Sequence, residues 1–159
     1  IIYRALKNFF FFFCRMEKMK LGESNVRMIL VKNPAGCNQV INFLTAGTED
    51  AVFYIALNDK DSDGTDVSWI WDVEFEKLLT MQNRLKRLVV SGIRRYDMAL
   101  RLKYAGFSED FIEIKDTFDE FLDAAEKETL PVYMMPTYTA MLTLRKMIST
   151  RYGIKQFWE

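Results

Sequence analysis

The sequence predicts a doubly wound α/β domain: a mostly parallel sheet of about five strands, covered by helices on both faces. Three observations carry this. Five short apolar runs, near 26–31, 51–57, 88–91, 111–114 and 131–135, recur along the 159 residues. Between consecutive runs lie a dozen or more residues, mostly with the apolar spacing of a helix, and crossovers of that length join parallel strands. Proline and glycine punctuate the seams at Pro34, Gly92, Gly106 and Pro136.

The elements follow in order. Val26 to Val31 is a largely apolar strand run, after which Pro34 opens a helix with Val40, Ile41, Phe43 and Leu44 at helical spacing. Ala51 to Leu57 (AVFYIAL) shows no polar alternation, the signature of a strand buried on both faces, and it stops at Asn58-Asp59. A polar loop runs to Asp66, and Trp69-Ile70-Trp71 leads into short helical structure through Leu79. Leu88-Val89-Val90 is the third strand, closed by Ser91-Gly92. Arg94 to Ala105 is helical, with Met98, Leu100, Leu102 and Tyr104 among its apolar positions and Gly106 as its stop. Phe111 to Ile114 is a fourth strand, and Asp116 is expected to cap a helix carrying Phe118, Phe121, Leu122 and Ala125 on one side. Val132 to Met135 is the fifth strand, and Thr137 to Tyr152 the last helix, with Met141, Leu144 and Ile148 on one face.

Composition excludes several function classes. Lys and Arg number 22, Asp and Glu 22, and 50% of residues are hydrophobic, which suits one domain with a sizeable core. Zero net charge lacks the basic surplus that phosphate contacts demand, so a dedicated nucleic-acid binder is not expected. No histidine is present. The chain therefore completes neither a Ser-His nor a Cys-His nucleophile pair and makes no His-ligated metal site. Cys14 and Cys37 stand apart without a CxxC and read as reduced thiols. The apolar run Phe9 to Cys14 is too short for a membrane span, which needs ~20 residues. The first residue is Ile1, not Met, as expected of a fragment, a processed product or an excised domain. Residues 1–14 (IIYRALKNFFFFFC) lack the cleavage site of a signal peptide and read as a junction, leaving 15–159 as the domain.

Charge is neutral in sum but blocked along the chain. Residues 49–76 hold nine acidic groups and only Lys60, whereas residues 82–106 hold seven basic groups and one acidic. In a doubly wound sheet, ligands meet the loops at the carboxyl ends of the strands. Three such loops stand out: Lys32 to Gly36, Asn58 to Asp66, and Ser91 to Arg95. No GxxxxGK(S/T) and no GxGxxG occurs, so a phosphate cradle is not expected here. The loop N58-D-K-D-S-D-G-T-D66 contains DxDxDG, but the twelfth position counted from Asp59, where a calcium loop needs a bidentate Glu, is Ile70. Turn and helix capping accounts for some of these carboxylates, and an interface with a positively charged group for the rest. Arg94-Arg95 reads either as a solvated first helical turn or as contact with anionic ligand groups or the acidic loop. Lys32-Asn33, ahead of a helix-opening Pro, reads equally as ligand contact or as a structural turn.

Lys32-Asn33-Pro34-Ala35-Gly36 resembles the NP-x-G helix start in the C-terminal domains of Mur ligases and folylpolyglutamate synthases. Asn58-Asp59, Asp66-Val67-Ser68-Trp69-Ile70-Trp71-Asp72, the stretch Tyr96 to Gly106, and Pro136 to Met141 narrow the likeness to the MurT C-terminal family. MurT proteins are the Mur-ligase-like subunits of lipid II isoglutaminyl synthase, and the resemblance runs from Arg15 to Tyr152. It implies a Rossmann-like Mur ligase C-terminal fold.

The resemblance also implies a role in an ATP-dependent amidation. In that family the subunit activates the α-carboxyl of D-glutamate in the lipid II stem peptide as an acyl phosphate. A glutaminase partner, GatD-like, supplies ammonia from glutamine through a Cys-His pair, and the C-terminal domain holds it and lends an aspartate. Asp66 matches the family's DVSW motif, with Asp59 and Asp63 close by in the same loop. Lys32, Asn33, Asn58, Asp59 and Arg94 are expected to face nucleotide or acceptor. ATP and Mg would be held mainly by a central domain that this chain lacks, and no metal site is expected in the chain itself. The implied setting is the cytoplasm, at the inner face of the bacterial membrane. The second reading is a Mur-ligase-type lid that closes over ATP and acceptor without a triad role; only the first reading needs a carboxylate at 66.

Overall fold

A computed structural model describes residues 16–81 and 83–153. The expected junction at 1–14, with Cys14, lies outside them. Six strands form one sheet: β1 (Glu17–Leu21), β2 (Ser24–Met28), β3 (Ala51–Ala56), β4 (Leu85–Ser91), β5 (Ile112–Ile114) and β6 (Val132–Pro136). Their order is β1-β2-β6-β3-β4-β5. Every pairing from β2 to β5 is parallel. Among the described residues four α-helices accompany them: α1 (Pro34–Ala46), α2 (Arg95–Ala105), α3 (Phe118–Glu126) and α4 (Tyr138–Tyr152).

The sheet has one strand more than the sequence pattern indicated. β1 pairs antiparallel with β2 through a two-residue Gly22-Glu23 turn, with Gly22 at φ +59°. The segment EKMKL escapes an apolar-run search because Lys18 and Lys20 alternate with Met19 and Leu21. Such charges suit an edge strand, where they discourage pairing with another chain. β2 ends at Met28, yet the extended run continues beside β6 to residue 31, with Ile29 N–H donating to Met134 O (2.8 Å) and Val31 N–H to Pro136 O (3.0 Å).

Two apolar layers sandwich the sheet. Phe53, Ile55, Leu57 and Val90 face α1, α2 and the 3₁₀ turns at Ser68–Asp72 and Phe75–Met81. Val52, Tyr54, Ala56 and Val89 face α3 and α4. β3 is buried at all six positions, which explains its unbroken apolar run. Asn33 caps α1, accepting from Gly36 N–H at 2.8 Å, with Pro34 in the first turn. Gly106 ends α2 in the left-handed region, as its position indicated.

One expected cap is displaced. Thr117, not Asp116, caps α3, accepting from Glu120 N–H at 3.2 Å. Asp116 pairs instead with Arg95 at 3.1 Å, because it sits just past β5 at the edge of the sheet where α2 begins.

Candidate functional site

The carboxyl ends of the parallel strands share one edge of the sheet. At β2, Lys32 is exposed and Asn33 spends its side-chain oxygen on the α1 cap. β6 separates this corner from β3. At β3, Asn58 is only 4% exposed and works as a clamp. Its N–H donates to Thr137 Oγ1 (2.9 Å), its Nδ2 to Thr139 Oγ1 (3.0 Å), and its Oδ1 accepts from Ile93 N–H (3.0 Å). One residue thus joins the ends of β3, β4 and β6.

Gly92 makes the junction possible. Its φ is +100°, and a Cβ there would meet Leu57 O at 2.4 Å, so both conformation and space demand glycine. Arg94, at the start of α2, reaches Asp59 at 3.2 Å and Asp97 at 2.7 Å. Beside this junction lies a cleft of about 280 Å³ lined by Asn58, Lys60, Ser91, Ile93, Arg95 and Asp116, among others.

The three aspartates 59, 63 and 66 do different work. Asp59 answers Arg94. Asp63 takes the N–H (2.7 Å) and hydroxyl (2.5 Å) of Thr139, satisfying an orphan donor at the start of α4, and accepts from Lys60 N–H at 3.0 Å. Among the described residues Asp66 bonds only within its own turn, accepting from Ser68 N–H (2.8 Å) and Ser68 Oγ (2.9 Å), and it is exposed. Those two donors hold its carboxyl below the usual carboxylate range, so it is ionised at neutral pH.

The Asp66 turn runs straight into the 3₁₀ turn Ser68–Asp72. Ile70 seats that turn in the core at 1% exposure, while Trp71, 48% exposed, meets Tyr104 of α2 edge-on with ring centroids 5.6 Å apart. Behind Trp71 lies Arg101, 4% exposed, which sequence reading passes over as one more helical position. Its helical phase carries the only hint, since residues 98, 101, 102 and 105 share the buried side of α2. Leu100 and Tyr104, by contrast, point outward. Among the described residues no three His, Cys, Asp or Glu side chains converge as a metal site. No helix among them is long and apolar enough to cross a membrane.

Residues 30–141, spanning the α1 start, the acidic loop and the Asp66 turn, match the MurT ligase C-terminal family. The chain belongs to the MurT ligase C-terminal family. Relatives of this MurT domain include the lipid II isoglutaminyl synthase (glutamine-hydrolyzing) subunit MurT of Streptococcus pneumoniae (strain ATCC BAA-255 / R6). It is 29% identical over 145 residues, covering 91% of this chain and 32% of the relative. The subunit of the same name from Staphylococcus aureus (strain COL) is 30% identical over 138 residues, covering 87% and 31%. The chain therefore spans about a third of the length of these relatives. Among solved structures, the folylpolyglutamate synthase of Thermotoga maritima superimposes with a TM-score of 0.58 at 16% identity, covering 86% of this chain and 30% of that one. That likeness establishes the Mur-ligase-like α/β fold of the MurT domain.

Proposed function

We propose that this domain docks a glutaminase subunit and completes its catalytic triad with Asp66. The complex would amidate the α-carboxyl of D-glutamate in the lipid II stem peptide, using ATP and glutamine-derived ammonia at the inner face of the bacterial membrane. The relatives' names speak for a glutamine-hydrolysing enzyme built of subunits. The observation that carries the role of this domain is the contrast among the three aspartates. Asp59 and Asp63 are tied to α2 and α4, whereas Asp66 is exposed and, among the described residues, engages only its own turn.

Hydrolysis of glutamine by a thiolate needs an imidazole base, and this chain has no histidine. The Cys-His pair therefore lies outside this chain, on the proposed reading in the partner, and the contribution open to this chain is the third member. An ionised carboxylate at the imidazole Nδ1–H fixes the tautomer that faces the thiol. It also stabilises the imidazolium formed when the thiol proton moves to Nε2, the proton later passed to departing ammonia. Asp66 is suited to this, being ionised at neutral pH and oriented by two hydrogen bonds from Ser68. Trp71, on the 3₁₀ turn that follows Asp66 in the chain, meets Tyr104 to offer an aromatic surface able to exclude water at a contact.

We read the nucleotide phosphates as held elsewhere, because most polar side chains expected to face them already have partners within this domain. Arg94 pairs with two carboxylates, Asn33 caps a helix, and Asn58 bonds to the segments that follow β4 and β6. Lys32 remains exposed at the β2 end and could meet the acceptor or a phosphate from outside. ATP and Mg would be held by other parts of the ligase subunit, where ATP activates the carboxyl.

Replacing Asp66 by Asn in the ligase subunit that carries this domain, assembled with its glutaminase, tests the reading. Assembly should persist while glutamine-driven amidation falls by on the order of 10³–10⁴-fold, as when a triad loses its orienting carboxylate. Amidation fed with free ammonia should be retained. Equal loss in both assays, or loss in neither, would leave the domain as a lid with no part in the triad.

A further inference from the structure

We infer that Arg101 is a positioning residue whose buried guanidinium sets the turn carrying Asp66 and so aims that carboxylate. The inference rests on the triad reading above. At 4% exposure Arg101 is a charge taken out of water, and such a charge persists only when fully paired. Its Nε donates to Ile70 O (3.0 Å) and its Nη2 to Val73 O (2.7 Å) and Glu76 Oε1 (2.8 Å). The guanidinium also lies 5.4 Å from the Trp71 ring centroid and 5.5 Å from that of Phe75. Every one of these contacts falls on the single segment 70–76.

That convergence exceeds what filling the core requires. A well-packed apolar side chain commonly matches or betters a buried ion for stability, so what the arginine contributes is geometry. Its planar fork fixes two carbonyls in one orientation, which a lysine ammonium on a flexible stem cannot do. The carbonyls belong to a 3₁₀ turn and the residue that follows it. Hydrogen bonds in such a turn are poor, and its single buried side chain, Ile70, anchors it without fixing its rotation. From Ile70 the restraint passes by hydrogen bonds to the carboxylate: Ile70 N–H to Val67 O (3.2 Å), then Ser68 N–H and Oγ to Asp66.

The test uses the assembled complex with Arg101→Met and, as the conservative variant, Arg101→Lys. Arg101→Met should lower glutamine-driven turnover by about 10–100-fold, the size of effect an ångström of misplacement produces. The loss should lie in kcat, with the KM for glutamine unchanged and ammonia-driven turnover retained. Arg101→Lys should fall between wild type and Arg101→Met. In an Asp66→Asn background, Arg101→Met should add nothing, because it acts only through that carboxylate. Full glutamine-driven activity in a folded Arg101→Met complex would overturn the inference, as would equal loss with ammonia or independent, multiplying effects in the double variant. If Arg101→Met fails to fold, Arg101→Lys is put through the same comparisons, and the same results support or overturn the inference. An Asp66→Asn complex that hydrolyses glutamine normally would instead refute the triad reading, and this inference with it.

Discussion

Cys37 shows how burial decides what a reactive side chain does. It lies on the inner face of α1 at 2% exposure, and desolvation pushes its thiol up to about 12. The thiolate is the nucleophile, so at mild alkaline pH this cysteine should be inert in the folded protein. Alkylation with iodoacetamide at pH 8, followed by peptide mass spectrometry, should leave Cys37 unmodified until denaturant is added; rapid native labelling there would contradict its burial. Asp66 is the opposite case. Its carboxylate is exposed and ionised, accepting hydrogen bonds from Ser68 N–H and Oγ. The sequence singled out Asp66 through the DVSW string but could not separate the roles of Asp59 and Asp63. Their partners lie 35 and 76 positions away, at Arg94 and Thr139, and local pattern carries no record of such contacts. Arg101 was hidden for the same reason, since its carbonyl partners are 31 and 28 positions distant.

The elements themselves were largely legible, because periods of two and 3.6 residues are imposed by burial on sheet and helix alike. The unbroken apolar run of β3 announced a central strand, and Pro34 and Gly106 marked helix ends. β1 was not legible, because an exposed edge strand gains from charge what a central strand gains from apolarity. A polar network binds the other side of the sheet. Arg87 of β4 grips Glu113 of β5, with Nε to Oε1 at 3.0 Å, and also reaches Glu128, which accepts from the Tyr54 hydroxyl of β3 at 2.7 Å. The Arg87 hydrogen bonds hold the Glu113 carboxyl below its usual range despite partial burial. A depressed carboxyl pKa gives stability that is complete above the unfolded value of ~4.3 and is lost as pH falls through the folded value. Arg87→Met should destabilise by about 1–3 kcal/mol near neutrality, less than for a fully buried pair because the arginine is partly exposed. Denaturant unfolding between pH ~6 and ~3 should show the variant's deficit shrinking with acidification. A deficit independent of pH would assign the loss to packing instead.

At the scale of the molecule, the sheet edge that could have held a ligand is stitched shut near β6 by Asn58, Asp63, Thr137 and Thr139, while the Asp66 turn and its aromatic neighbours face outward. On the proposed reading, a domain so arranged acts on a partner, with the Asp66 turn as its point of contact. The 159-residue chain by itself should therefore hydrolyse neither ATP nor glutamine, and turnover of either above a mock-purified control would contradict that division of labour. The most direct test of the central claim is the geometry of the assembled complex, read from a crystal or cryo-electron structure with the glutaminase bound. The account predicts an Asp66 carboxylate oxygen at hydrogen-bond distance, about 2.6–3.2 Å, from the partner imidazole Nδ1, with the other ring nitrogen facing the thiol. An imidazole oriented by a carboxylate of the partner's own, with Asp66 out of hydrogen-bond reach, would contradict it.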